Sequence, residues 1–122
     1  MGDWVKGQIL ELTSSGAISK GKKVTVFRDF SQSDREKGST VSCNFQGTFY
    51  DITSTHLVEV KSPMWKKGQA AVIIESGAIS RGTFLTVEKD FSVEDIKRGN
   101  KVQCNYKSET FYVSPHHLGD PN

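Results

Sequence analysis

The sequence predicts an all-β protein made of two tandem copies of one five-stranded barrel. Three observations carry that prediction. The chain matches itself at an offset of 61 residues, half of its 122. Apolar residues alternate over short runs in each half, the period of half-buried strands rather than helices. Glycine-rich and Ser/Asp-rich turn signals separate those runs. Five short strands in about 60 residues suit a small closed or nearly closed barrel, which removes the sheet edges that invite aggregation.

The offset places Trp4 on Trp65, Gly7-Gln8 on Gly68-Gln69, Thr25-Val26 on Thr86-Val87 and Cys43-Asn44 on Cys104-Asn105. Ser15-Gly16-Ala17-Ile18-Ser19 falls on Ser76-Gly77-Ala78-Ile79-Ser80, and nearly half of the positions from Trp4 to Gln46 are identical. Similarity at a fixed period marks a repeated structural unit. Beyond Gln46 a one-residue slip sets Thr48-Phe49-Tyr50 on Thr110-Phe111-Tyr112, and skipping Asp51 restores His56-Leu57 over His117-Leu118. The units run over 1–60 and 61–122, with a short linker at 61–64 that contains Pro63.

The first run of each unit is Gln8–Thr13 or Gln69–Ile74, with Leu10 and Leu12, or Ala71 and Ile73, facing inward. Gly16 and Gly21 bracket the loop that follows, where Ile18 and Ile79 are placed to plug a barrel end. The second run, Lys23–Arg28 or Phe84–Lys89, points Val24 and Val26, or Leu85 and Val87, inward. Ser31 and Ser92 then read as helix N-caps, with Asp34 and Asp95 in the first turn and Gly38 and Gly99 as stops. A short helical turn is expected between strands 2 and 3. Phe91 meets Ile96 as a hydrophobic staple there, whereas Phe30 against Arg35 makes a weaker one. The third run, Thr40–Phe45 or Lys101–Tyr106, turns Cys43 and Cys104 inward as small buried hydrophobes. Gln46-Gly47 is a tight hairpin turn, and Lys107-Ser108-Glu109 one residue longer. The fourth run, Thr48–Ile52 or Thr110–Val113, sends Phe49 and Phe111 to the core and leaves Tyr50 and Tyr112 outward. Leu57–Val60 closes unit one.

That ending, a strand, a Ser/Thr/Pro-rich single turn and a Leu opening the last strand, resembles the close of SH3-like barrels, including the KOW and Tudor-type modules of transcription and translation proteins. Lys6-Gly7-Gln8, the glycine-containing loop and Lys20-Gly21 before Val24-Thr25-Val26 are similar to the start of a KOW module. The resemblance covers both units. It implies two SH3-like five-stranded barrels in tandem, and a non-enzymatic accessory or regulator of transcription or chromosome structure that binds nucleic acid or nucleoprotein.

Composition bounds the chemistry. Lys and Arg exceed Asp and Glu by two, and that excess lies wholly in residues 61–122, with nine basic and seven acidic residues against seven of each before them. Such a charge permits a nucleic-acid partner without demanding one. One cysteine per unit leaves no disulfide within a unit, and with no leader pattern at the start a reducing, cytoplasmic setting is the expectation. No phosphate loop, nucleophile motif or dinucleotide fingerprint is present, and the three histidines lie by no marked nucleophile. No catalytic residue, metal or cofactor is expected.

The candidate nucleic-acid contacts are Lys20, Lys22, Lys66, Lys67, Arg81, Lys97 and Arg98 toward the phosphate backbone, with Tyr50 and Tyr112 as stacking rings. The repeated loop 15–21 and 76–82 is either a structural plug or a phosphate-facing loop. DNA stands slightly ahead of RNA as the ligand. Apolar residues that point outward at non-equivalent places, Phe27 in unit one and Val72, Ile74 and Phe84 in unit two, predict a contact between the units or with a partner. The alternative function is a protein-interaction adaptor that uses those faces.

Overall fold

The computed structural model describes residues 3–121. In chain order it comprises β1 (Ile9–Leu12), β2 (Lys23–Val26), α1 (Gln32–Glu36), β3 (Thr40–Phe45), β4 (Thr48–Thr53), a 3-10 turn (Ser54–His56) and β5 (Leu57–Glu59). The second unit repeats the series as β6 (Ala70–Ile73), β7 (Phe84–Val87), α2 (Val93–Lys97), β8 (Val102–Tyr106), β9 (Glu109–Val113), a 3-10 turn (Pro115–His117) and β10 (Leu118–Gly119).

These strands make two five-stranded antiparallel sheets, ordered β4-β3-β2-β1-β5 and β10-β6-β7-β8-β9. The neighbours are the same in both. After β4 and β9 the chain passes straight into the 3-10 turn and pairs its last strand with the first, Leu10 with Glu59 and Leu118 with Ile73. Among the described residues no ladder joins β4 to β5 or β9 to β10, so each sheet stays open along that seam instead of closing as the sequence suggests.

Strand alternation builds one core behind each sheet. Leu10, Leu12, Val24, Val26, Val41 and Cys43 fill the first with Trp4 and Phe30. Ala71, Ile73, Leu85, Val87, Val102 and Cys104 fill the second with Trp65 and Phe91. Each fully buried side chain of this kind contributes roughly 1.5–3 kcal/mol. Burial also pushes the Cys43 thiol up to about 12 and the Cys104 thiol to about 11, with Asp51 and Glu88 adding smaller like-sign effects.

The connections follow from their residues. Ser31 Oγ accepts from the Asp34 N–H at 3.1 Å while Asp34 accepts from the Ser31 N–H at 2.9 Å. Ser92 and Asp95 repeat the box, and Gly38 and Gly99, with φ of +75° and +79°, end the turns. In unit one Arg35 replaces the staple with its guanidinium 4.4 Å from the Trp4 ring and 5.5 Å from that of Phe30. A planar cation over an aromatic face does there what Ile96 does by apolar contact in unit two.

The register of β9 differs from the sequence expectation. Tyr106 pairs with Glu109 as Phe45 pairs with Thr48, so both hairpin turns have two residues. Lys107 and Ser108 adopt positive φ, 52° and 67°, as Gln46 and Gly47 do at 52° and 96°. The 61-residue offset therefore runs on without a slip. Tyr50 corresponds to Phe111, both packed against their cores, and Phe49 corresponds to Thr110. Tyr50 points inward and Phe49 is 55% exposed, the reverse of the expected arrangement. A shift of one residue turns every side chain of a strand to the other face.

The two sheets meet through different faces of the two units. On unit one the contact uses the outer side of β1 and β2. Ile9 packs with the second core beside Met64, and its N–H donates to Met64 Sδ at 3.1 Å. The Thr25 hydroxyl donates to the Leu118 carbonyl at 2.7 Å. On unit two the contact uses β10 and the 3-10 turn before it. A Cβ on Gly7 would lie 2.7 Å from Pro115 Cβ, so the approach needs glycine there, while one on Gly119 would lie 2.7 Å from Ile74 Cγ2 of its own unit and 3.6 Å from Thr25 Oγ1 across the contact. Lys23 Nζ stands 3.8 Å from the Asp120 carboxylate. The corresponding surface of unit two is open: Ala70 and Thr86 are exposed and nothing lies within 4 Å of a Cβ on Gly68.

Candidate nucleic-acid interface

Ile18 is buried in the first core and Ile79 packs on the second. Lys20 N–H donates to Ser15 Oγ at 3.0 Å and Arg81 N–H to Ser76 Oγ at 2.9 Å. Gly21 and Gly82, with φ of +91° and +92°, send their N–H groups to Leu12 and Ile73 carbonyls. These backbone donors are spent inside the loop, so toward a phosphate the loop offers the Lys20 and Arg81 side chains.

The other basic candidates are dispersed. Lys22 is half-buried beside the first loop. Lys66 lines the cleft between the units together with Glu11, Glu59 and Asp120. Lys97 shares a second cleft with Asp3, Glu59 and Glu94. Arg98 stands 3.7 Å from Asp95, and the Arg81 chain lies against Gly47. Lys67 is exposed, and its backbone N–H donates to Asp90 Oδ1 at 2.8 Å.

The apolar candidates divide. Val72 and Ile74 are 8% and 2% exposed, with Ile74 against Gly119. Phe27 packs within its own unit, its ring 4.6 Å from that of Phe49 and under Lys6 Nζ at 5.6 Å. Phe84 is 64% exposed on the rim of a cavity of about 230 Å³ that also takes in Val72, Ile74 and Pro121.

One grouping does form. Tyr112 stands outward from β9 with 64% of its surface exposed, paired across the ladder with Gln103. It borders a concavity of about 350 Å³ that it shares with Lys89 and Lys101. Two carboxylates also border that space. Asp90 accepts the Lys67 N–H, and Asp95 accepts from both the N–H and the hydroxyl of Ser92. The Asp95 carboxyl is held below its ordinary range, first by the backbone Ser92 hydrogen bond. Next to this face Glu88 takes hydrogen bonds from Gln103, Asn105 and Thr110 at 3.0, 3.1 and 3.0 Å, and these hold it below the usual carboxylate range. In unit one Asp51 and Thr40 occupy the positions of Tyr112 and Lys101, and Arg28 that of Lys89, so the ring and Lys101 belong to unit two alone.

Alternation along the fourth run points to Tyr112, whereas Lys101 enters the sequence only as the start of the third run. Lys89 went unselected, because its place beside Tyr112 depends on β7 and β8 lying side by side.

Among the described residues no helix is long and apolar enough to cross a membrane. Comparison with known protein families and with curated proteins finds no match to this chain.

Proposed function

We propose that this chain is a non-enzymatic nucleic-acid-binding protein, an accessory to transcription or chromosome structure, built from two SH3-like barrels of KOW type. The strand order, with a 3-10 turn before the last strand of each unit, supports the barrel reading. The binding face is the outer side of β8 and β9. The single observation that carries this reading is the exposed Tyr112 ring in one concavity with Lys89 and Lys101.

Every base has a π-face, and a base stacked on an aromatic ring is worth about 1–3 kcal/mol without regard to sequence. Lysines alongside neutralise phosphates and release counterions. The carboxylates of Glu88 and Asp95 nearby are held ionised by their backbone and side-chain donors, so the attraction of Lys89 and Lys101 works against their charge. A single strand fits better than a duplex, since only unpaired bases offer a free face to one ring.

A gel-shift series on single-stranded DNA, RNA and duplex DNA at several salt concentrations tests the proposal. Retardation of single strands that weakens steeply with salt, and is reduced in Tyr112→Ala, supports it; no retardation at low salt contradicts it. Phe84 favours a second reading, a protein-interaction adaptor that takes an apolar peptide side chain into the cavity beside Val72, Ile74 and Pro121.

A further inference from the structure

From the grouping of Glu75, His116 and His117 we infer a binding site for one divalent transition-metal cation of the zinc type, formed by the second unit where it meets the first. The three side chains are half-buried and each brings one ligand atom, all within 4.8 Å of one another. His117 Nε2 and Glu75 Oε1 are 3.2 Å apart. Two ligands bound to one zinc at tetrahedral angles, with bonds of 2.0–2.2 Å, stand about 3.4 Å apart. The two imidazole rings are 4.3 Å apart at 68°, so they do not stack flat and can turn their nitrogens toward a common point.

The backbone holds these residues in place. Glu75 lies just past β6, and both histidines lie in the 3-10 turn that leads into β10. Those strands are paired, Leu118 with Ile73, and the Ile74 N–H donates to the His117 carbonyl at 2.9 Å. Pro115 opens the turn, packed against Gly7 of unit one, and the His117 ring lies beside Gly77. Two imidazoles and one carboxylate are a ligand set that suits zinc, copper, nickel or iron and leaves positions for water. Unit one has Ser14, Thr55 and His56 at the corresponding positions, so only unit two carries the set.

The test uses the full chain without a histidine tag. Calorimetric titration with zinc chloride should give one cation per chain. Glu75→Gln, His116→Asn and His117→Asn should each weaken binding at least about tenfold, since even outer-shell partners of a metal cost about 10–100-fold, while His56→Asn binds as the parent does. In the unaltered protein cobalt(II) should shift or broaden the ring signals of His116 and His117 and leave those of His56 in place. Absence of zinc binding, binding that survives His117→Asn unchanged, or paramagnetic effects centred on His56 would each overturn the assignment.

Discussion

The Thr25 hydroxyl donates to the Leu118 carbonyl across 2.7 Å, joining the two units between residues 93 positions apart in the chain. Thr86, the counterpart of Thr25 at the 61-residue offset, is exposed. One sequence feature thus has two environments, and the difference measures the contact. Thr25→Val should lower stability by about 1 kcal/mol, the usual worth of such a bond. Thr86→Val should stay within about 0.5 kcal/mol of the parent, as surface changes do. Urea denaturation of both variants checks this, and equal effects would show that the contact contributes nothing.

Gly7 and Gly68 form a second matched pair. Both have positive φ, +95° and +90°, so alanine strains the backbone equally. Only at Gly7 does the new Cβ meet Pro115 Cβ at 2.7 Å and the His116 nitrogen at 3.0 Å. Overpacking of this kind costs about 1–3 kcal/mol, so Gly7→Ala should be less stable than Gly68→Ala by about that amount. Thermal or chemical melts of the two variants give the difference directly.

The thiols report on cooperativity. Cys43 and Cys104 lie in separate cores, both fully buried, and burial raises them to about 12 and about 11. The thiolate is the reactive form. Both should therefore resist an aromatic disulfide reagent at pH 8 in the native protein. Because the units share a contact, both should become labelled at the same denaturant concentration. Labelling of Cys43 well before Cys104, followed by mass spectrometry, would show units that unfold independently.

Acid should weaken the two helical turns. Asp34 is held below its ordinary value chiefly by the backbone hydrogen bond from Ser31, then by the Ser31 hydroxyl, and Asp95 chiefly by the backbone bond from Ser92. A carboxylate whose folded pKa is depressed stabilises the fold above its unfolded value, near 4, and loses that contribution as pH falls through the folded value. Stability should therefore decline below about pH 4. The decline should be shallower in the Asp34→Asn, Asp95→Asn double variant, as circular dichroism across pH 2–7 can show.

Much of this architecture was legible in the residues. The capped turns at Ser31 and Ser92 and the inward Val24, Val26, Leu85 and Val87 follow from local rules, since a cap and a strand face depend only on near neighbours. The outward Phe49 did not, because the identical Thr-Phe-Tyr triplets invite a slip that hairpin geometry forbids: both turns take two residues. Val72 and Ile74 stand out in the sequence as apolar excess and are buried, whereas Thr25 and Gly7, which meet unit two, do not stand out. A threonine and a glycine look alike whether exposed or pressed against a neighbour, and Thr25 and Gly7 recur in unit two as the exposed Thr86 and Gly68. Glu75 and His117 are 42 positions apart, and the pairing of β6 with β10 brings them together.

The most direct measurement is an amide NMR titration of the full chain with a short single-stranded DNA at low salt. Binding on the outer face of β8 and β9 predicts shifts concentrated at Lys89, Lys101, Gln103 and Tyr112, which fade when salt is added. Shifts centred on Phe84 and Val72, or none at all, would contradict it.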